Sequence, residues 1–123
     1  MLRTLALGAV LAAGLVVPAF AQDAAKVVGT YTYKGTDTDG SAYSDSGKVV
    51  VKAVPSGAVE ITWDDGAYLG VGQVTGNVLA IASVADGKNS IMLLTINPDG
   101  SLSGPWWRRA DKGSKGTEVW TKK

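Results

Sequence analysis

The sequence contains no histidine and no cysteine. This removes the Ser-His-Asp triad, the Cys-His pair and every His- or Cys-ligated zinc site. It also removes disulfides, so a folded domain must be held by packing and backbone hydrogen bonds alone. Phenylalanine occurs once, as Phe20. No apolar run reaches the roughly 20 residues that a membrane-spanning helix needs. No large charge excess exists either, since the formal net charge is +1. A general nucleic-acid binder is basic throughout or across one face, so nucleic acid is not an expected partner. Catalysis would have to rest on carboxylates, Lys, Tyr or a bound cofactor, and no motif calls for a cofactor.

The N-terminus carries a different signal. Arg3 precedes an apolar run from Leu5 to Val17 made only of Ala, Leu, Val and Gly. Pro18 and Ala19-Phe20-Ala21 follow, an A-x-A cleavage pattern. The expectation is a cleavable export leader over residues 1–21 and one domain over 22–123, periplasmic or secreted. No Cys follows the cleavage site, so no stable membrane anchor is expected after processing. With Phe20 in the leader, the core must come from Tyr, Trp, Val, Ile and Leu.

Turn residues divide the rest of the chain at short intervals. Asp39-Gly40, Asp65-Gly66, Gly76-Asn77, Asp86-Gly87 and Asp99-Gly100 carry hairpin chemistry, and Lys112 to Gly116 forms a further Gly-flanked turn. The segments between them alternate. Val59, Ile61 and Trp63 oppose Glu60, Thr62 and Asp64. Tyr31 and Tyr33 oppose Thr30, Thr32 and Lys34. Glu118, Trp120 and Lys122 oppose Val119 and Thr121. A period of two predicts strands with one buried face. "NVLAIASV" (77–84) and "SIMLLTI" (90–96) are apolar on both faces, which predicts a hairpin covered on both sides or one exposing a face for association. No segment shows an amphipathic helix. The reading is all-β, with about eight strands near 28–34, 41–53 (broken at Gly47), 58–64, 67–73, 77–84, 89–96, 101–109 and 117–122. An eight-stranded antiparallel up-and-down barrel is expected, with a β-sandwich as the alternative. The Asp-Gly-Ser shared by 39–41 and 99–101 reads as repeated turn chemistry.

Several stretches hint at sites. Asp37 to Asp45 places acids near calcium-loop spacing, but Gly35 and Ser46 stand at two positions that need oxygen ligands of another kind, so an acidic turn and no metal is expected. "GVGQVTG" (70–76) lacks the helix on which a dinucleotide site depends, and its glycines read as relief of curvature or as seats for a large aromatic. Glu60 and Asp64 form the nearest carboxylate pair, about 13 Å apart along a strand. This exceeds the spacing used by inverting glycosidases, so a solvated outer face is preferred. Charge is uneven: Gln22 to Gly100 holds five Lys against nine Asp and Glu, whereas Ser101 to Lys123 holds six Lys and Arg against two. In that basic tail, Leu102, Gly104, Trp106 and Arg108 alternate against Ser103, Pro105, Trp107 and Arg109, so the two tryptophans and the two arginines diverge. Pro105 marks an edge or an irregularity. The candidate ligand-binding residues are Trp107, Arg108, Arg109 and Lys112, with Trp63 and Tyr68 as cavity residues.

The ordered stretches "GTYTYKGTDTDGSAYSDSGKVVV", "VEITW", "YLGVGQVTGNVLAI", "INPDGSLSGPW" and "GTEVWT" resemble a group of small exported bacterial β-barrel proteins of largely uncharacterised function, some labelled fibronectin-binding. The resemblance implies an exported binding or adhesion role and supplies no catalytic residue. In outline the barrel also resembles avidins and lipocalins, in architecture only. The leading expectation is a non-catalytic exported module binding a protein, a glycan or a small apolar ligand, with oligomerisation open. The alternatives are a periplasmic inhibitor of a hydrolase such as a lysozyme or protease, and a carboxylate enzyme acting on glycans.

Overall fold

The computed structural model describes residues 23–123. The expected leader and its cleavage site lie outside the described residues. Eight strands follow in order: β1 (Gly29–Thr36), β2 (Ala42–Ala53), β3 (Val59–Trp63), β4 (Tyr68–Thr75), β5 (Val78–Ala85), β6 (Lys88–Ile96), β7 (Leu102–Arg108) and β8 (Lys115–Lys122). Each pairs antiparallel with its sequence neighbour. β8 pairs back onto β1, from Tyr31 opposite Lys122 to Thr36 opposite Thr117, and closes the barrel. The barrel is therefore as expected, and closure sets the sandwich aside.

Local turn chemistry explains the meander. Thr75 opposite Val78 leaves the two-residue loop Gly76-Asn77, with Gly76 at φ 60°. Ala85 opposite Lys88 leaves Asp86-Gly87, with φ 53° and 73°. These are the left-handed loop conformations whose twist matches paired strands. The two Asp-Gly-Ser turns share one hydrogen-bond pattern. The amides of Asp37 and Asn97 donate to the carbonyls of Ser41 and Ser101, and Gly40 and Gly100 donate back. In both turns the central Asp accepts from the amide and hydroxyl of the Ser two residues on. Shared turn chemistry accounts for the echo.

The alternation sorts the core. Tyr31, Val49, Val51, Val59, Ile61, Leu79, Leu94, Leu102 and Trp120 are fully buried inside. The doubly apolar β5 and β6 face inward through Leu79, Ile81, Met92 and Leu94, and expose their other face. Glycines set the curvature. A Cβ at Gly70 would stand 3.0 Å from the Trp63 ring and 3.2 Å from Ile81, so the "GVG" run lets large side chains lie over β4.

Two features differ from the sequence reading. β2 is continuous, where a break at Gly47 was expected. The irregularity lies in pairing instead: Gly47 sits opposite Tyr33, then the register shifts so that Tyr43 sits opposite Gly35. The surplus on β2 is a bulge, which re-aims Tyr43 over Gly35. The turn over residues 23–27 was not anticipated. It buries Ala24 and Val27 in the core at the end where β1 begins, and the Tyr31 hydroxyl donates to the Val27 carbonyl at 2.7 Å. Tyr31→Phe leaves that buried carbonyl without its donor, so urea unfolding is expected to show a loss of about 1–2 kcal/mol. Pro105 sits in a barrel that has no edge. β6 and β7 pair on either side of Gly104-Pro105 but not across it.

The meander gives the barrel two unlike ends. One carries the N-terminal turn and the connections β2–β3, β4–β5 and β6–β7. The other carries the β1–β2 turn Asp37–Ser41, the 3₁₀ turn Asp64–Gly66, the Asp86-Gly87 hairpin and the 3₁₀ turn Arg109–Asp111. This second end is an open mouth.

Candidate functional site

Beneath the mouth lies a cavity of about 360 Å³, with Tyr33, Tyr43, Trp63, Tyr68, Trp106 and Met92 among its walls. At its base is Glu118, only 5 % exposed and the one buried charged residue among those described. β8 puts it there because Glu118 shares the inward phase of Trp120. Both carboxyl oxygens are engaged. Oε1 accepts from the indole N–H of Trp63 at 2.9 Å and of Trp120 at 2.7 Å. Oε2 accepts from the Tyr43 hydroxyl at 2.6 Å. Burial raises the Glu118 carboxyl above the ordinary range and outweighs the three donors, which pull it down; the charge of Asp64 adds to the rise. Burial likewise raises the Tyr43 hydroxyl, and the charge of Glu118 raises it further. The indole pair Trp63–Trp120 meets edge to face, with centroids 5.9 Å apart.

A second layer frames the rim. The Tyr33 hydroxyl donates to Asp64 Oδ2. Burial raises this phenol first, and the bond to Asp64 adds to it. Asp64 also accepts from the Lys48 amide at 3.0 Å. Trp106 donates its indole N–H to the Thr36 carbonyl at 3.2 Å. Arg108 ties two mouth connections together. Its Nη2 lies 2.7 Å from Asp37, its Nε lies 2.7 Å from Asp111, and its guanidinium stands 5.0 Å from the Trp106 ring centre. The bond to Asp111 holds the guanidinium more firmly charged. Thr38 first, then Arg108, hold the Asp111 carboxyl below its usual range.

The structure divides the sequence-predicted residues between two surfaces. Trp63 and Tyr68 line the mouth, Trp63 as a buried wall and Tyr68 half-buried. Arg108 points inward with Trp106 and is occupied by two carboxylates. Trp107 and Arg109 instead line a separate outer groove of about 710 Å³ across β4 to β7, and Arg108 reaches its edge. Lys112 is exposed in the turn after Asp111, at φ 53°. A single "WWRR" surface with Lys112 is therefore not what the barrel assembles; the strand alternation splits it. Glu60 and Asp64 part as well. Glu60 stays on the exposed outer face, whereas Asp64 leaves β3 at φ 51° and turns to Tyr33. The acidic turn is used internally, with Asp39 held by Ser41 and Asp37 by Thr38 and Arg108. Among the described residues no group of three His, Cys, Asp or Glu side chains is placed to hold a metal ion.

Sequence reasoning missed Glu118, Tyr33, Tyr43 and Trp106 as site residues. The signal for Glu118 was present, because burying Trp120 buries its i−2 neighbour on a strand. No protein-family profile matches the chain, and no curated protein sequence matches it.

Proposed function

We propose that the protein is an exported, non-catalytic binding module whose barrel mouth takes a small ligand with an apolar body and a cationic group. One observation carries this reading. Five aromatic side chains surround a cavity whose ionisable lining is Asp37, Asp64, Asp86 and Glu118 against Lys88 and Arg108. Aromatic faces and an acidic rim together favour an ammonium over a carboxylate or phosphate. Arg108 and Asp37 neutralise one another and Glu118 is buried at the base, which leaves Asp64 and Asp86 against Lys88 as the charges at the rim. The non-catalytic assignment rests on Glu118. It is 5 % exposed and both of its oxygens already accept from Trp63, Trp120 and Tyr43, so its role in this reading is to orient those side chains.

The test is a tryptophan-fluorescence titration with apolar amines, their neutral isosteres, heparin-like glycans, peptidoglycan fragments and fibronectin. Saturable binding of an amine is expected, weakening with salt. Tyr68→Ala removes a wall that makes no buried hydrogen bond, and is expected to weaken that binding at least about tenfold. Arg109→Glu and Lys112→Glu are expected to leave it unchanged. Binding confined to fibronectin or a glycan, and lost in Trp107→Ala or Arg109→Glu, would move the function to the outer groove and refute the mouth.

A further inference from the structure

Five of the six exposed large hydrophobic side chains among the described residues lie on the outer face of β4 to β6, beside β7. Leu69, Val71, Val84 and Ile91 are each more than half exposed, and Leu93 is 42 % exposed. Contiguous apolar surface of this kind on a soluble barrel marks a contact. Its relief identifies what covers it. On β5 the outward residues Ala80 and Ala82 make a shallow trough, which ends at the larger outward Val84. On β6, directly opposite them, are Leu93 and Ile91, which make a ridge. The face thus carries a trough and its own matching ridge side by side, a self-complementary pattern that fits a two-fold interface.

We infer that this face is the dimer interface of the protein, with a second copy of the chain as its occupant. The two-fold axis runs parallel to the strands, between β5 and β6. It lays the ridge residue Ile91 of one copy against the partner's Ala82, and Leu93 against the partner's Ala80, with both contacts made twice. β7 then lies across from the partner's β4. Trp107, outward on β7 and opposite Ile91 in register, is long enough to reach the partner's Val71 at the flank. Charge agrees with the same axis. The turn that leads into the mouth end of β4 carries Asp64 and Asp65 against Lys48, which pairs with Asp65, so one acid stays in excess, and the mouth end of β7 leads into Arg109 and Lys112. The two-fold brings the acidic turn of each copy towards the basic turn of the other, in the direction that attracts.

Sedimentation velocity on the purified protein tests this, and the decisive step is a swap of shape. Wild type is expected to sediment at twice the mass of one chain. Ala82→Leu fills the trough and Ile91→Ala removes the ridge; both sites are on the outer surface, so neither substitution touches the core. Each variant alone is expected to dimerise at least about tenfold more weakly. Mixed together, the two pair a filled trough with a missing ridge and an intact trough with an intact ridge. The mixture is expected to recover dimers to within about threefold of wild type. A wild type that stays monomeric at high concentration overturns the proposal, and so does a dimer indifferent to both substitutions. A monomer that co-sediments with phosphatidylcholine vesicles would give the face to a bilayer and overturn it equally.

Discussion

Glu118→Ala is expected to lose roughly 3–5 kcal/mol of folding stability, which is a large part of the total of about 5–15 kcal/mol available to a domain of this size. The loss follows from what the carboxylate leaves behind. Two indole N–H groups, Trp63 and Trp120, and the Tyr43 hydroxyl would face the interior without their acceptor. Tyr43 retains only a long contact to the Thr117 carbonyl, at 3.4 Å. A barrel without disulfides has no covalent constraint to absorb such a loss. Glu118→Gln separates hydrogen bonding from charge. The amide oxygen still accepts from both indoles, and the amide nitrogen can donate to the Tyr43 oxygen. Its cost is expected to be well under half that of the alanine variant, read by urea unfolding at pH 5.

The same pair of variants fixes a pH dependence. Burial raises the Glu118 carboxyl in the folded state, so the folded protein holds this proton when the unfolded chain has released it. In that window the folded state binds more protons, and stability falls as pH rises. The contribution is fully present below the unfolded carboxyl value, is lost as pH climbs to the folded value, and is level beyond it. Exposed Asp39 and Asp99 and half-buried Asp111 act in the opposite sense, since their carboxyls are held low by Ser41, Ser101 and Thr38. Their contribution is lost as pH falls into the acid range. The difference between wild type and Glu118→Gln isolates the first effect. Wild type is expected to decline from the acid side of neutrality upward, and the Gln variant to stay flat there. A wild-type profile parallel to that of Glu118→Gln from pH 4 to 8 would contradict the raised carboxyl.

Strand count and turn positions were legible in the sequence because each is a local property; closure, which pairs β1 with β8, was expected only beside a β-sandwich as the alternative. A two-residue period assigns faces, and Gly with Asp or Asn assigns loops. The site was less legible because it is made of long-range pairs. Arg108 meets Asp37 across 71 positions, and Trp63 meets Glu118 across 55. No local pattern announces such a partner. Asp64 was assigned to the face of Glu60 by extending the strand rule one residue too far; positive φ at Asp64 ends β3 and turns the carboxylate to Tyr33. Glu118 is the opposite case. Its phase with Trp120 was read correctly, yet a charged residue on a core face was not followed to its consequence, which is a buried acid with three donors. The turn at 23–27 had no periodic signal at all, and is held by the burial of Ala24 and Val27 and one tyrosine hydroxyl.

Gly116→Ala is expected to cost about 2–4 kcal/mol and to abolish binding at the mouth, although it adds a single methyl group. Gly116 lies opposite Trp106 on neighbouring strands. A Cβ there would stand 2.5 Å from the indole nitrogen and 2.6 Å from the adjoining ring carbon, and would also press on the Thr36 carbonyl. That carbonyl is the acceptor of the Trp106 indole N–H. The methyl group thus enters at the bond that seats the ring, and one of its obstacles is backbone, which cannot rotate aside. The indole must leave, taking with it a wall of the cavity, its edge-to-face contact with Tyr43 and the surface over which Arg108 lies. Trp106→Phe is the control, because it deletes the N–H and keeps an aromatic wall, and it is expected to cost only about 1–2 kcal/mol and to retain partial amine binding. The two causes have different spectra. In Gly116→Ala the displaced indole reaches water and its emission shifts to the red, whereas Trp106→Phe simply loses that emission. If Gly116→Ala kept wild-type stability, emission and amine affinity together, the close seating of Trp106 on β8 would be wrong, and with it the shape assigned to the mouth.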